Sequence, residues 1–154
     1  MYCAIALGSN LGDSLNYLNS SLQELKRDSE IELVLCSRWY KTTAVGPPQP
    51  DYLNGCAILR VHLSPNELLR RLLEIERQLG RVRNIYWGPR TLDLDLLLYE
   101  DIILDSPDLQ IPHPRMKERA FVLVPLSEIV PNWIEPITGQ TIKELLQCLY
   151  LNNS

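Results

Sequence analysis

The chain has 154 residues, of which 45% are hydrophobic and 22% are charged, and its formal net charge is −4. This length and composition predict one globular domain over residues 1–154. The acidic balance argues against a general nucleic-acid binder, and no stretch approaches the roughly 20 apolar residues that a membrane span needs. The N-terminal apolar run is short and lacks a basic flank, so we expect no signal peptide and a cytoplasmic protein with reduced cysteines.

The first half of the chain alternates between strand and helix patterns. Tyr2–Leu7 predicts a strand and Gly8–Gly12 a turn, after which four leucines at helical spacing, beginning with Leu15, predict a helix. Two further strands are predicted over Ile31–Tyr40 and Tyr52–Leu63, and we expect them to form a hairpin. The segment that joins them contains three prolines in four residues, so it must be a loop.

The second half of the chain opens on the capping box Ser64-Pro65-Asn66-Glu67, which predicts the start of a helix that ends at Gly80. Leu92–Tyr99 predicts the fourth strand, Glu118–Val130 a short helix, and Thr141–Glu144 a second capping box. The order β-α-β-β-α-β is typical of a ferredoxin-like unit. We therefore expect an α+β fold, in which helices cover a mainly antiparallel sheet and C-terminal helices are added.

The fourth predicted strand carries two aspartates. Asp93 and Asp95 alternate with leucines, so both side chains should leave one face of the strand, roughly 7 Å apart. Aspartate is depleted in strands and like charges repel, which favours a bound divalent cation between them. The alternatives are a solvated face or ion pairs with basic residues of a neighbouring strand.

A cationic segment leads directly to these aspartates. Residues 81–90 include Arg81, Arg83 and Arg90 and no acidic residue, in a chain that is acidic as a whole. The planar guanidinium suits phosphate oxygens, and paired carboxylates suit Mg²⁺, which bridges the same phosphates. The combination favours a nucleoside triphosphate site. Ion pairing between these arginines and the aspartates remains the alternative.

Two other polar residues stand near this region. Glu76 lies close to the apolar face of its predicted helix and is either a buried acceptor for the following arginines or a carboxylate that reaches water. His113 is held between two prolines, where it can contact phosphate, transfer a proton or have no task. Sequence alone does not decide between these alternatives.

A flat heterocycle could be held by aromatic side chains. Tyr52, Trp87 and Phe121 are candidates for stacking, and Asn54 for hydrogen bonding to a ring edge. Each aromatic residue taken alone is more often part of a core.

Taken in order, several motifs resemble one known family. The chain resembles the 6-hydroxymethyl-7,8-dihydropterin pyrophosphokinases of folate biosynthesis from about Ala4 to Pro136. The motifs are Leu7-Gly8-Ser9-Asn10-Leu11-Gly12, Gly46-Pro47, Pro50-Asp51-Tyr52-Leu53-Asn54, Gly80-Arg81-Val82-Arg83, Trp87-Gly88-Pro89-Arg90-Thr91-Leu92-Asp93-Leu94-Asp95 and Pro112-His113-Pro114-Arg115-Met116. The block from Trp87 to Asp95 is the most specific of them.

The resemblance implies an enzyme that transfers the β,γ-diphosphate of ATP to the hydroxymethyl group of the pterin and releases AMP. It implies two Mg²⁺ ions bound by Asp93 and Asp95. The implied catalytic residues are Arg81, Arg83, Arg90, Asp93 and Asp95. The implied ATP-binding residues are Glu76, Arg81, Arg83, Trp87, Arg90, His113 and Arg119. The implied pterin-binding residues are Thr42, Thr43, Val45, Gly46, Tyr52, Asn54, Trp87, Asp95 and Phe121. ATP and the pterin are the implied partners, and a monomer is expected.

The chain departs from its relatives in three places. Tyr86 stands where many relatives have arginine, Asp108 where a basic residue is common, and Pro114 where some have tyrosine. Arg115 could replace part of the lost positive charge. Because none of these changes touches the two aspartates, we expect the chemistry to be retained.

Two other functions compete with this interpretation. An early Gly-Ser followed by a strand with two aspartates is also found in nucleotidyltransferases, which attack the α-phosphorus and release pyrophosphate, but the Trp-Gly-Pro-Arg block has no place in that pattern. A non-catalytic module that binds a nucleotide or a pterin is the other alternative. Binding alone would not require two metal ligands.

Overall fold

The computed structural model describes residues 1–10, 12–42, 51–80 and 92–152. Its helices and strands follow one another along the chain, with a short 3-10 turn at Met116–Glu118 between the last strand and the third helix. They are β1 (Tyr2–Ser9), α1 (Ser14–Arg27), β2 (Ile31–Cys36), β3 (Tyr40–Thr42), β4 (Tyr52–Val61), α2 (Pro65–Gly80), β5 (Leu92–Tyr99), β6 (Leu104–Asp105), β7 (Gln110–Ile111), α3 (Ala120–Ile129) and α4 (Ile142–Asn152).

The main sheet has the strand order β2-β4-β1-β5, and β3 pairs with the β2 side of β4 as a short fifth strand. All of its pairings are antiparallel. The strand β4 lies between β1 and β2, which α1 connects, and this is the split arrangement of a ferredoxin-like fold. The predicted α+β class is therefore confirmed. In the described part of the chain, β5 forms one edge of the sheet.

The predicted second strand, Ile31–Tyr40, was wrong as a single element, because it is divided into β2 and β3. Ser37 follows β2, and its hydroxyl oxygen accepts a hydrogen bond from the backbone N–H of Cys56 at 2.9 Å. A side chain thus replaces the backbone partner at this point, and regular pairing with β4 is interrupted. Trp39 then packs against Gly55, where a Cβ atom would lie 2.6 Å from the indole ring.

Hydrophobic cores form on both faces of the sheet. The first core lies under α1 and α2 and contains the side chains of Leu92, Leu94 and Leu96 from β5. The second core lies under α3 and α4 and contains Ala4 and Leu98. The pairing of β1 with β5 shifts by one residue between Ala4 and Ile5, so the alternation of β5 breaks between Leu97 and Leu98, which both pack in the second core.

Both predicted capping boxes are present. The N–H of Ser64 donates to Glu67 Oε1 at 2.9 Å and the N–H of Glu67 donates back to Ser64 Oγ at 3.2 Å. Thr141 and Glu144 exchange the equivalent bonds at the start of α4.

Three details of the predicted elements were wrong. The turn predicted at Gly8–Gly12 begins later, because β1 continues through Ser9. Leu15 is largely exposed, although it was placed on the apolar stripe of α1. The short third helix begins at Ala120, two residues after the predicted start. Within the described ranges, no helix is long and apolar enough to cross a membrane.

Candidate active site

A row of three residues crosses the sheet at one end of β1. Gly8 pairs with Asn54 of β4 on one side and with Asp93 of β5 on the other. Directly paired residues point to the same face, so the Asn54 amide and the Asp93 carboxylate flank a position that has no side chain. Two strand spacings place their Cα atoms about 10 Å apart. Asp95 lies in the next row of the same face, opposite Ala6.

The two aspartates occupy the predicted geometry. Asp93 is exposed and Asp95 is half-buried, whereas the leucines that alternate with them are buried. The carboxylates therefore share one face of β5, which is the face that α3 and α4 partly cover. Within the described residues, no group of three or more potential metal ligands is assembled. The pair can supply two carboxylate ligands, with the remaining coordination left to water or substrate.

Asn54 is oriented by its neighbours. It is 6% exposed, and its Nδ2 donates a hydrogen bond to Thr42 Oγ1 at 2.9 Å. Its Oδ1 lies against Gly8, where an added Cβ would approach it to 2.9 Å. The glycine of the Gly-Ser-Asn motif thus has a packing reason that the sequence did not reveal. Tyr52 pairs with Thr42 in the same hairpin and places its ring at the same end of the sheet.

Glu76 contacts the strand that carries the aspartates. Its Oε2 accepts a hydrogen bond from the backbone N–H of Leu94 at 2.6 Å. Burial raises the pKa of Glu76 to about 7, the Leu94 hydrogen bond opposes this rise, and the negative charges of Asp93 and Asp95 add to it. The expected arginine partners of Glu76 lie outside the described residues.

His113 follows the cis peptide bond between Ile111 and Pro112. Its backbone N–H donates to the carbonyl of Leu97 at 2.9 Å, and its ring Nδ1 accepts from the N–H of Arg115 at 3.2 Å. Burial lowers the pKa of His113 below its usual value, Asp95 opposes this, and Arg119 and Arg115 lower it further. A neutral imidazole whose Nδ1 is an acceptor carries its proton on Nε2, which can then donate to an anionic ligand.

Arg119 and Phe121 lie together at the start of α3. The guanidinium carbon of Arg119 is 5.5 Å from the centre of the Phe121 ring, a cation–π arrangement. Phe121 is 41% exposed, so its ring is accessible for stacking.

A cleft of about 850 Å³ runs along the edge of β5. It brings together Glu76, Asp93, Asp95 and His113, between the helix α2 and the turn that joins β6 to β7. Sequence reasoning missed part of its wall, namely Leu69 and Leu73 of α2 and, from the β6–β7 hairpin, Asp105, Ser106 and Gln110. Leu73 is 46% exposed, and its position outside the predicted apolar stripe of this helix was a signal that the sequence offered. Asp108 and Pro114, two of the departures, also line the cleft.

Several predicted site residues cannot be placed in this geometry. Thr43, Val45, Gly46, Arg81, Arg83, Trp87 and Arg90 lie outside the described residues. The segments that contain them adjoin described elements of the site, since residues 43–50 connect β3 to β4 and residues 81–91 connect α2 to β5.

Comparison with known proteins identifies the family. A family model for 7,8-dihydro-6-hydroxymethylpterin-pyrophosphokinase matches residues 4–131. The chain belongs to this family. A Synechocystis relative named 2-amino-4-hydroxy-6-hydroxymethyldihydropteridine pyrophosphokinase is 53% identical over 143 residues, covering 93% of this chain and 73% of the relative. A Pseudomonas aeruginosa relative of the same name is 44% identical, with 92% and 88% covered. Family membership makes the chain an enzyme of the pyrophosphokinase class.

Solved structures show the same fold. A Plasmodium falciparum HPPK-DHPS crystal structure matches with a TM-score of 0.75 and 12% identity over 99% of this chain. A structure described as HPPK-DHPS in complex with substrates matches with a TM-score of 0.74 and 12% identity. The chain spans 46% and 45% of these two longer chains. At this identity the likeness supports the fold of the family and carries nothing about individual residues.

Proposed function

We propose that the chain transfers the β,γ-diphosphate of ATP to the hydroxymethyl group of 6-hydroxymethyl-7,8-dihydropterin and releases AMP and the pterin diphosphate. The observation that carries this proposal is the row Asn54, Gly8 and Asp93 across three neighbouring strands. We further propose that the enzyme works as a cytoplasmic monomer with one domain over residues 1–154.

The row fits a flat bicyclic substrate. A ring system placed over Gly8 meets no side chain from β1, and its hydrogen-bonding edge faces Asn54. Because Asn54 Nδ2 donates its hydrogen bond to Thr42 Oγ1, the Oδ1 atom of Asn54 faces the open position above Gly8. The separation of about 10 Å between the Asn54 and Asp93 positions is close to the length of a pterin with its hydroxymethyl arm. The alcohol would then lie beside the carboxylates, with Tyr52 and Phe121 available for stacking.

Asp93 and Asp95 are proposed to hold two Mg²⁺ ions together with the phosphates. Their donor set fits this metal, because Mg²⁺ is commonly held by one or two carboxylates and completes its octahedron with water and substrate phosphates. Bound Mg²⁺ would neutralise phosphate charge during transfer. Both carboxylates stand on a strand whose flanking leucines are buried, so they are positioned before any ligand arrives.

The cleft beside β5 is proposed to hold ATP. Leu69 and Leu73 give it an apolar wall suited to a base, and Nε2 of His113 can donate to a phosphate oxygen. Glu76 and Arg119 complete the described part of this proposed site. Arg81, Arg83, Trp87 and Arg90 are proposed to act from the segment that connects α2 to β5. Trp87, Thr43, Val45 and Gly46 are proposed to complete the pterin pocket from the two segments outside the described residues.

The expected mechanism is positioning with electrostatic stabilisation. In-line transfer needs the alcohol oxygen, the β-phosphorus and the departing AMP oxygen aligned, with arginine and metal charge around them. Asp95, which is half-buried on the same face of β5 as Asp93, is proposed to accept the proton of that alcohol. Asp108 replaces a cation common in relatives at the wall of the cleft, so ATP affinity rests more heavily on the remaining arginines.

Product analysis with Mg-ATP and 6-hydroxymethyl-7,8-dihydropterin tests the proposal. AMP should appear only when the pterin is present, in equal amount with the pterin diphosphate. Release of pyrophosphate would instead indicate nucleotidyl transfer. Binding of both ligands without consumption of ATP would indicate a non-catalytic module.

A further inference from the structure

Glu76 connects α2 to β5, the strand that carries the two aspartates of the proposed phosphate site. It lies four residues before Gly80, the last residue of α2, and the segment with the three arginines begins at the next position. Its carboxylate reaches across to β5 and accepts the N–H of Leu94, the residue between the two aspartates. The Glu76 side chain thus connects the last turn of α2 to the middle of β5.

The backbone of β5 explains why this contact matters. In the described part of the chain, β5 is an edge strand that pairs with β1 only, and Leu94 lies opposite Leu7. Backbone N–H groups of a strand alternate in direction, so an outward N–H at Leu94 places those of Asp93 and Asp95 toward β1. The Leu94 side chain is 2% exposed and fixed in the core. Leu94 also lines the cleft, and its backbone N–H donates to Glu76 there.

Packing alone does not account for a carboxylate at this position. Glu76 is half-buried beside two other carboxylates, an arrangement that costs electrostatic energy in the metal-free protein. Glu76 is also not assembled with Asp93 and Asp95 into a three-ligand metal cluster among the described residues. Among the described residues, the hydrogen bond that the structure gives Glu76 comes from the Leu94 N–H.

We propose that Glu76 is a positioning residue, whose hydrogen bond with the Leu94 N–H holds the aspartate-bearing part of β5 in place against the last turn of α2. This inference rests on the proposed function for its catalytic consequence, although the anchor itself can be tested without turnover. It differs from the role implied by the family resemblance, in which Glu76 binds ATP.

Amide hydrogen exchange of metal-free protein tests the anchor directly. The Leu94 amide should be protected in the wild type and exchange at least about tenfold faster in Glu76→Ala, because an accepted hydrogen bond is lost. Glu76→Gln keeps an acceptor oxygen and should stay close to the wild type. Glu74→Ala is the matched control, since Glu74 pairs with Arg77 and Gln78 on the same helix. Unchanged Leu94 exchange in Glu76→Ala would overturn the proposal.

Steady-state kinetics as a function of Mg²⁺ concentration test the consequence. Loss of a group that orients metal ligands typically costs about 10- to 100-fold in metal affinity or activity, and we expect this range for Glu76→Ala. Glu76→Gln should remain within about fivefold of the wild type, and Glu74→Ala within about twofold, if geometry is what Glu76 supplies. A Gln variant as impaired as the Ala variant, with the Leu94 amide still protected, would show that the charge of Glu76 acts on a ligand and would overturn the positioning role.

The two experiments separate the two proposals. If the wild type forms no AMP, the proposed function fails, while the exchange rates still decide whether Glu76 anchors β5. If Glu76→Ala does not fold, Glu76→Leu carries the test, because leucine fills similar space and offers no acceptor oxygen. Faster Leu94 exchange together with reduced activity in Glu76→Leu, with both absent in Glu76→Gln, would support the anchor, and reduced activity with unchanged Leu94 exchange would overturn it.

Discussion

Replacing Gly8 by alanine tests whether the open position in the central strand keeps Asn54 correctly oriented. The new Cβ would lie 2.9 Å from Asn54 Oδ1, well inside ordinary contact distance. Relief requires a movement of about 0.5 Å, since non-bonded heavy atoms prefer about 3.5 Å. The amide is buried and cannot turn to solvent. Its 2.9 Å hydrogen bond to Thr42 should therefore lengthen, and its oxygen should lose its direction.

The expected effect of Gly8→Ala falls on the pterin. A hydrogen bond contributes about 1 kcal/mol net, and about 1.4 kcal/mol corresponds to a tenfold change, so we expect the KM for the pterin to rise about fivefold. The KM for ATP should change by less than about twofold. The free energy of unfolding should fall by about 1 to 2 kcal/mol, because overpacking slightly outweighs the gain from removing a strand glycine.

Gly12→Ala is the control for this experiment, since no described atom lies within 4 Å of its added Cβ. The assay is AMP formation at varied pterin and saturating Mg-ATP, with thermal unfolding measured alongside. An unchanged KM for the pterin in Gly8→Ala would refute the reasoning, as would an equal rise in Gly12→Ala.

Three further perturbations follow from the site. Asp95→Ala should reduce AMP formation by about 10³-fold or more while thermal unfolding stays cooperative, because several kcal/mol of charge stabilisation is lost, and full activity would contradict the metal assignment. In metal-free protein, the folded state retains a proton on Glu76 that the unfolded state loses, because the folded pKa is raised from 4.5 to about 7. The free energy of unfolding of the wild type, measured relative to that of Glu76→Gln, should therefore be greatest below about pH 4.5 and should decline as the pH rises through about 7. Urea unfolding at a series of pH values across this range measures the difference. A difference that does not change with pH would contradict the raised pKa of Glu76. Chelation by EDTA should abolish activity and shift Tm by less than about 3 °C, and cooperative unfolding upon chelation would contradict a metal-independent fold.

Much of the fold follows from local patterns. The alternation of aspartate and leucine predicted the face of β5, and both capping boxes marked helix starts, because these signals depend on residues close in sequence. The division between β2 and β3 was not predictable in this way, since it depends on Ser37 meeting the N–H of Cys56 from another strand. Local pattern also did not predict that Gly8 leaves space for the Asn54 side chain, because Asn54 is 46 positions away in the sequence.

The candidate site shows the same division between local and tertiary information. The aspartates and arginines were visible as residue types at short spacing, and the family resemblance extended this to the pterin pocket. The contact of Glu76 was not visible, because the sequence suggested arginine partners and the structure gives a backbone N–H of β5, an edge strand in the described part of the chain. The apolar wall of Leu69 and Leu73 becomes part of a cleft only when the β6–β7 turn is placed opposite α2.

Paired aspartates on β5 raise the question of whether the fold needs a metal to tolerate them. Two carboxylates about 7 Å apart repel by about 0.6 kcal/mol in water and about 2.4 kcal/mol at an effective dielectric constant of about 20. Leu92, Leu94 and Leu96 are buried on the opposite side of the same strand. At about 1.5 to 3 kcal/mol for each buried leucine, their contribution exceeds the repulsion without any cation.

The fold therefore does not require a cation to compensate this repulsion. The strand is held by its core, and the carboxylates are in place before a ligand arrives. Because Mg²⁺ dehydrates reluctantly and two carboxylates leave most of its octahedron to water, binding to the protein alone should be weak. The phosphates of ATP would supply the missing ligands, so the metal and the nucleotide should bind together, and the aspartates should hold the metal on the nucleotide rather than form a structural metal site.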